Sequence, residues 1–291
     1  MKRGIAILST GEMGHRVAMV LKKNGLPVFT WLEGRSERTK YLAQRAEVEI
    51  VDTLEELLKK VDLVLSITIP SAALTVAQRI AASAGTREDK PLFVDANSIS
   101  PYTAGEIEKT LAAVAIPFVD CCIIGSAANL ERGTTFYAAG PWAEKFSHLR
   151  DFGLTVEIIG EKNGQASAFK MVYAGFTKGV SALLVELLLL ARRMGILDKI
   201  LALYQNRFPE VARFARENLP RLPFRASRRS EEMEELAYTL TREGLNPIMA
   251  PAAQKLLAAL GELNLKDKYG ESAEESWDLP AVLDILLQKL T

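Results

Sequence analysis

Residues 4–14 read Gly4-Ile5-Ala6-Ile7-Leu8-Ser9-Thr10-Gly11-Glu12-Met13-Gly14, and this stretch decides the fold. Its first five residues carry no charge and form the run expected of a short strand buried on both faces. A polar turn with two glycines follows, after which Met13, Val17, Val20 and Leu21 recur at helical spacing across 12–24. The unit is strand, glycine turn, helix. Outward from it the alternation repeats: strand 28–32, helix 38–46, strand 48–51, helix 54–60. The run 62–69 (DLVLSITI) predicts another doubly buried strand, with a helix over 72–84, and 93–95 and 118–120 predict later strands around a helix at 103–113. Strands alternating with helices over this length predict an α/β domain built on a doubly wound parallel sheet.

After Gly164 the β pattern ends. Helices are expected at 165–194, 197–205, 208–217, 230–243, 247–261 and 279–289, with the basic, proline-containing segment 218–230 (NLPRLPFRASRRS) as an ordered loop. Asn163 has the character of an N-cap for the first of these helices. The expected organisation is therefore a dinucleotide-binding domain over 1–162 and an all-α substrate and dimerisation domain over 163–291, consistent with a length of 291 residues that exceeds one core.

Composition excludes several classes. Lys plus Arg and Asp plus Glu balance at 36 each, so no overall field draws the chain to nucleic acid or an anionic membrane. Neither is expected as a partner. The two cysteines, Cys121 and Cys122, are sequence neighbours and make no disulfide framework, and His15 and His148 lack companions at metal-ligand spacing. The start of the chain lacks the long apolar segment of a leader, and the apolar stretch 180–191 falls short of a bilayer span, so a cytoplasmic location is expected.

The turn Ser9, Thr10, Gly11, Glu12, Met13, Gly14 is the dinucleotide fingerprint with serine at the first glycine position. Gly11 would let backbone approach a pyrophosphate, Gly14 would let helix pack on strand, and the helix N-terminus would hold the phosphates. At the end of the second strand stand Arg35, Ser36 and Arg38, a set whose guanidinium forks and hydroxyl suit the 2′-phosphate of NADP, which is expected in preference to NAD. With Glu33 and Glu37 alongside, the same turn also reads as a solvated charged loop. Thr68, Ile69 and Pro70, at the carboxyl end of the 62–69 run, complete the expected cofactor site.

The order of motifs resembles the β-hydroxyacid dehydrogenase and 6-phosphogluconate dehydrogenase superfamily along nearly the whole chain. Asp95-Ala96-Asn97-Ser98-Ile99-Ser100-Pro101 is similar to the family's strand-end segment, which implies Asn97 at the nicotinamide pocket. Gly164-Gln165-Ala166-Ser167-Ala168-Phe169-Lys170 is similar to the start of its long helix, which implies Lys170 as the catalytic lysine. Met233-Glu234-Glu235-Leu236 and Gly244-Leu245-Asn246-Pro247 look like the C-terminal domain of phosphogluconate dehydrogenase-like proteins of undefined substrate. Ile124 stands where the family has a substrate-binding serine, so that hydroxyl is either missing or supplied by Ser126. Tyr173 and Ala174 stand where it has asparagine or a His-Asn pair, which argues against oxidation of 6-phosphogluconate itself.

The resemblance implies a homodimer and NADP-dependent exchange between a small, anionic hydroxyacid or related alcohol and its carbonyl form. Lys170 would act as general acid/base, Tyr173 would share the proton work, and Asn97 and Ser126 would position substrate. A lysine pKa of about 10.4 must fall for this, through burial or a nearby cation such as Lys178. Ala174, Thr177 and Ser181 lie on the Lys170 face of the helix and would leave room for a ligand. Arg225, Arg228 and Arg229 suit a substrate anion or a solvated loop equally. Reduction of C=N bonds on the same fold, or a silent NADP-binding sensor, are the alternatives.

Overall fold

The computed structural model describes residues 4–85 and 88–290. Residues 1–3, part of the chain start considered above for a leader, lie outside them.

One eight-stranded sheet runs in the order β3-β2-β1-β4-β5-β6-β7-β8. The strands are β1 (Gly4–Leu8), β2 (Val28–Trp31), β3 (Glu49–Val51), β4 (Val61–Ser66), β5 (Leu92–Asp95), β6 (Phe118–Ile124), β7 (Thr135–Ala139) and β8 (Thr155–Gly160). The first six are parallel; β7 is antiparallel to β6, and β8 runs parallel to β7. Helices α1 (Glu12–Lys23), α2 (Glu37–Arg45), α3 (Leu54–Lys60), α4 (Ala73–Ala84), α5 (Pro101–Ala112), α6 (Leu130–Gly133) and α7 (Ala143–Ser147) connect them. The order 3-2-1-4-5-6 is that of a Rossmann sheet.

Period-two alternation sends each strand into two cores. Ile5, Ile7, Leu63, Leu65 and Val94 pack with Val17 and Leu21 of α1, while Ala6, Leu8, Val64 and Phe93 pack with Leu57, Ile80 and Ile107 of α3, α4 and α5. Helices thus cover both faces, which explains the uninterrupted apolar runs.

The chain divides into compact units 1–171 and 172–291, the division falling inside α8 (Gln165–Arg193). The second unit contains the rest of α8 with α9 (Leu197–Arg207), α10 (Pro209–Asn218), α11 (Ala226–Arg242), α12 (Met249–Glu262), α13 (Leu265–Ser276) and α14 (Leu279–Leu290). Leu184, Val185 and Leu188 of α8 meet Leu257, Leu260, Leu283 and Leu286 in its core.

Several expectations are corrected. β7, β8 and α13 were not foreseen, and β4 ends at Ser66, leaving Thr68 and Ile69 in a loop. The segment 218–230 is not all loop, because α11 begins at Ala226. α8 is long and apolar enough by length and composition to cross a membrane, more than its 180–191 stretch alone suggests; its inward positions are packed in the helical core.

Candidate functional site

The glycine turn is built as a cradle. A Cβ on Gly14 would lie 2.0 Å from the Ser9 carbonyl oxygen, so only glycine lets α1 sit this close to the end of β1. At Gly11 an added Cβ would meet nothing nearer than Ser9 Oγ at 3.9 Å. Among the described residues, that side of the turn is open. α1 starts at Gly11 without a side-chain cap, whereas α2, α3 and α5 are capped by Ser36, Thr53 and Ser100. Uncapped N–H groups and the positive helix end face that space, beside exposed Glu12 and part-buried Met13. These residues fit a bound pyrophosphate.

Thr10 departs from its expected role. It is fully buried, and its hydroxyl donates to the Thr39 carbonyl at 3.0 Å, tying the glycine turn to α2. Its backbone remains in the turn. Ser36 is the N-cap of α2, its Oγ accepting from Thr39 N, and Arg38 is exposed. Arg35 is half-buried, and burial followed by the neighbouring Arg79 guanidinium lowers its pKa. Arg79, which sequence reasoning missed, lies over the Trp31 ring at 4.3 Å from its centroid and 3.7 Å from Glu33. Two guanidiniums held together by the fold repel each other, a cost that a bound anion would relieve.

The second part of the site is polar and lies at the carboxyl ends of β4 and β5 and within β6. Ser66, Asp95 and Asp120 are in register across these strands and all three are fully buried. Asn97 is only 3% exposed, and its amide is committed: Nδ2 donates to Asp95 Oδ2 at 2.7 Å and to Ser66 Oγ at 3.3 Å, while Oδ1 accepts from Thr68 N. Asn97 therefore holds the Thr68-Ile69-Pro70 loop from behind and presents no free donor to a ligand, a correction to its expected role at the substrate. Burial, helped by the adjacent Asp120 carboxyl, raises the Asp95 pKa to about 7 against hydrogen bonds from Asn97. Asp120 is raised chiefly by burial as well.

Asp120 also starts α8. Its Oδ2 accepts from Gly164 N at 2.8 Å and Ser167 N at 2.9 Å, and its Oδ1 accepts from Ser167 Oγ at 2.6 Å. The cap of this helix is therefore a strand aspartate. Asn163, the expected cap, instead accepts from Asp120 N and donates to Glu108 Oε1 at 2.7 Å.

Lys170 lies one turn further along α8. Its side chain is half-buried, and Nζ donates to the Ile123 carbonyl at 2.6 Å, at the end of β6. Ser126, exposed, follows three residues later. Cys122, buried, has its thiol pushed up to about 12 by burial despite Lys170, and burial also holds the Cys121 thiol well above its ordinary range, so neither serves as a nucleophile. A cleft of about 480 Å3 beside α1, lined by Arg16, Lys23 and Arg132 among others, contains none of these groups.

In the helical unit Tyr173 is 45% exposed. Lys178 is not available as a neighbouring cation: it is buried 2.6 Å from the Glu232 carboxylate, with its pKa lowered by burial against that partner. Two of the small residues on the Lys170 face of α8 do not line open space. Ala174 is buried, and Ser181 donates to the Thr177 carbonyl at 2.8 Å.

Residues 4–155 match the model of the NAD binding domain of 6-phosphogluconate dehydrogenase. The chain belongs to this family. Residues 191–260 match a domain of unknown function (DUF1932). The uncharacterized 28.5 kDa protein in the 7S RNA 5′ region of Methanothermus fervidus is 30% identical over 259 residues, covering 89% of this chain and 99% of that protein. A solved conserved protein described as structurally similar to 3-hydroxyacid dehydrogenases is 31% identical, with a TM-score of 0.66 over 90% of this chain and 98% of its own. Two more distant structures share the fold. They are 3-hydroxyisobutyrate dehydrogenase of Mycobacterium tuberculosis (15% identity, TM-score 0.71, 98% and 99% covered) and imine reductase of Myxococcus stipitatus with NADP+ (16%, 0.56, 99% and 100%). The glycine turn, the β2-end arginines and Lys170 fall in one α/β unit, and the chain is a nicotinamide-dinucleotide oxidoreductase.

Proposed function

We propose that this protein is an NADP-dependent dehydrogenase that interconverts a small, anionic hydroxyacid or related alcohol and its carbonyl form, with Lys170 as general acid/base. The observation that carries the reading is the Lys170 ammonium fixed on the Ile123 carbonyl at the carboxyl ends of the sheet strands, where open α/β sheets bind ligands. The bound dinucleotide supplies hydride to, or accepts it from, the carbon of the substrate. The chain's own residues do the rest. Backbone N–H groups of the Gly11–Gly14 turn hold the pyrophosphate, and Arg35 with Ser36 and Arg38 receives the 2′-phosphate. Lys170 Nζ gives a proton to the carbonyl oxygen as charge builds there, and takes it back in the reverse direction. The exposed Ser126 hydroxyl, two residues beyond the end of β6, donates to the substrate.

A second reading, reduction of C=N bonds, is favoured by one feature: the exposed Tyr173 phenol stands three residues after Lys170 where the family carries asparagine. We also propose that the enzyme works in the cytoplasm as a homodimer, the exposed α8 side chains Val172, Phe176, Leu183, Leu187 and Leu190 being covered by a second copy. Sedimentation returning a monomer would refute that pairing.

The test of the main reading is a calorimetric titration with NADPH and NADH, on the wild type and on Arg35→Ala, followed by substrate screening with Lys170→Met. Removing a charge-assisted hydrogen bond to the phosphate predicts roughly 10- to 100-fold weaker NADPH binding in Arg35→Ala, with NADH unchanged. Lys170→Met should keep NADPH affinity and lose about 10²- to 10⁴-fold in turnover. Equal NADPH and NADH affinities unaffected by Arg35→Ala would remove the NADP assignment, and wild-type turnover in Lys170→Met would remove the lysine mechanism.

A further inference from the structure

We propose that Asp120, acting through Ser167, is the positioning residue that fixes the Lys170 ammonium in the active site, a role that rests on the reading of Lys170 as the proton carrier. Strand β6 grips the start of α8 at two points. The Asp120 carboxylate takes the Gly164 and Ser167 N–H groups and the Ser167 hydroxyl, at 2.8, 2.9 and 2.6 Å, and three residues on, the Ile123 carbonyl takes the Lys170 ammonium at 2.6 Å. Ser167 and Lys170 are three residues apart and so neighbours on one helix face. The first grip therefore sets the axial and rotational register in which the second can form.

Three features set this apart from ordinary capping. Capping residues normally precede their own helix by one position, and their loss costs that helix about 1 kcal/mol. Here the cap comes from the sheet, 44 and 47 positions away in sequence, so it fixes the helix against β6 instead of merely closing its end. Asp120 and Ser167 are both fully buried, so water cannot replace the interaction cheaply. The Asp120 backbone N–H is engaged too, by Asn163, whose amide is held by Glu108 of α5. The turn before α8, the start of α8 and, through Asn163, α5 thus converge on one strand residue, Asp120. A lysine has four rotatable bonds, and holding its tip to a useful position requires that its backbone be held first.

The test reads Lys170 directly in the cofactor-free protein. Wild type, Ser167→Ala, Asp120→Asn and Lys170→Met are treated briefly with limiting acetic anhydride at several pH values, and acetylation of the peptide containing Lys170 is followed by mass spectrometry; Lys170→Met verifies the peptide assignment. An ammonium held on a buried carbonyl reacts slowly. Loss of that hydrogen bond should raise the Lys170 acetylation rate about tenfold at fixed pH in both Ser167→Ala and Asp120→Asn. Other lysines, NADPH affinity and helix content should stay unchanged. A cap that serves only stability would lower the melting temperature while leaving the Lys170 rate profile as in wild type, and that result overturns the proposal. Should Asp120→Asn fail to fold, Ser167→Ala, which only deletes a hydroxyl, decides alone. Wild-type turnover in Lys170→Met would refute the proton-carrier reading separately, since the acetylation measurement needs no catalysis.

Discussion

Gly11 and Gly14 are both glycines of one turn, yet the structure gives them opposite reasons for being glycine. Substituting each by alanine separates protein packing from ligand binding. At Gly14 the new methyl would stand 2.0 Å from a backbone oxygen, 3.1 Å from the Ser9 carbonyl carbon and 3.3 Å from Ile7 Cγ2. A backbone atom cannot rotate away, so α1 and the end of β1 must part by more than an ångström. Overpacking of this kind costs about 1–3 kcal/mol, or roughly 2–12 °C in melting temperature for a unit of this size. At Gly11 the nearest atom is 3.9 Å away and φ is −70°, which alanine adopts freely. Reduced unfolded-state entropy gains about 0.4–1 kcal/mol, and the poorer N-cap quality of alanine loses a similar amount, so stability should change by less than about 0.5 kcal/mol. The methyl does, however, fill the space that a pyrophosphate needs. Gly11→Ala should therefore melt within about 2 °C of wild type and bind NADPH at least tenfold more weakly in calorimetry. A Gly11→Ala protein with undiminished NADPH affinity would refute the cradle.

Two further predictions concern buried charge. Burial moves the Asp95 carboxyl from its ordinary 3.8 to about 7, so the folded state binds this proton more tightly than the unfolded chain. Its stabilising contribution is complete below pH 3.8 and is lost as pH rises to about 7, a difference of about 4 kcal/mol. Asp95→Asn abolishes the ionisation; the melting temperature of the variant minus that of wild type should become more positive between pH 5 and pH 8, and a pH-independent difference would contradict it. In the helical unit, Glu232→Gln should strand the Lys178 ammonium in its buried site and destabilise that unit by about 3–5 kcal/mol, whereas Lys178→Met combined with Glu232→Leu should recover most of the loss. Thermal unfolding of the two variants measures both, and a double variant no more stable than Glu232→Gln would show that the two groups do not pair.

The parallel half of the sheet was legible because its signals are local. An uncharged strand followed by glycines and a 3.6-residue apolar period is written in neighbouring residues, and β1, α1, β2 and α3 emerged within a residue or two of expectation. β7 and β8 were not, although Thr135–Ala139 and Thr155–Gly160 are as strand-like in composition. They form the antiparallel extension beyond β6, where strands no longer alternate with long helices, so the βαβ rhythm that revealed the others was absent. The loop expected at 218–230 failed for a related reason: Pro223 does break the chain, but the arginines and serine after it tolerate a helix, and the first turn of α11 is secured by tertiary packing of Ala226 that no local pattern announces.

The candidate site divides along the same line. The glycine turn, Arg35 and Lys170 could be found because each belongs to a motif with a fixed spacing. Arg79 could not, since its relation to Arg35 arises from α4 lying across the end of β2. The buried acids left a trace that spacing alone did not decode: Phe93-Val94-Asp95 and Phe118-Val119-Asp120 are the same tripeptide, each ending a run of apolar residues on a charge. A sheet buried on both faces has no reason to put a carboxyl there for stability, because desolvation raises both pKa values and the two acids repel. Each is instead matched to backbone donors it alone can satisfy: Asn97 N for Asp95, and the uncapped start of α8 for Asp120. Through Asn97 the first governs the Thr68 loop, and through Ser167 the second governs the Lys170 helix. The costly pair therefore sits where it sets both walls of the site, which is why an apolar isostere at either position should retain the sheet and lose the geometry above it.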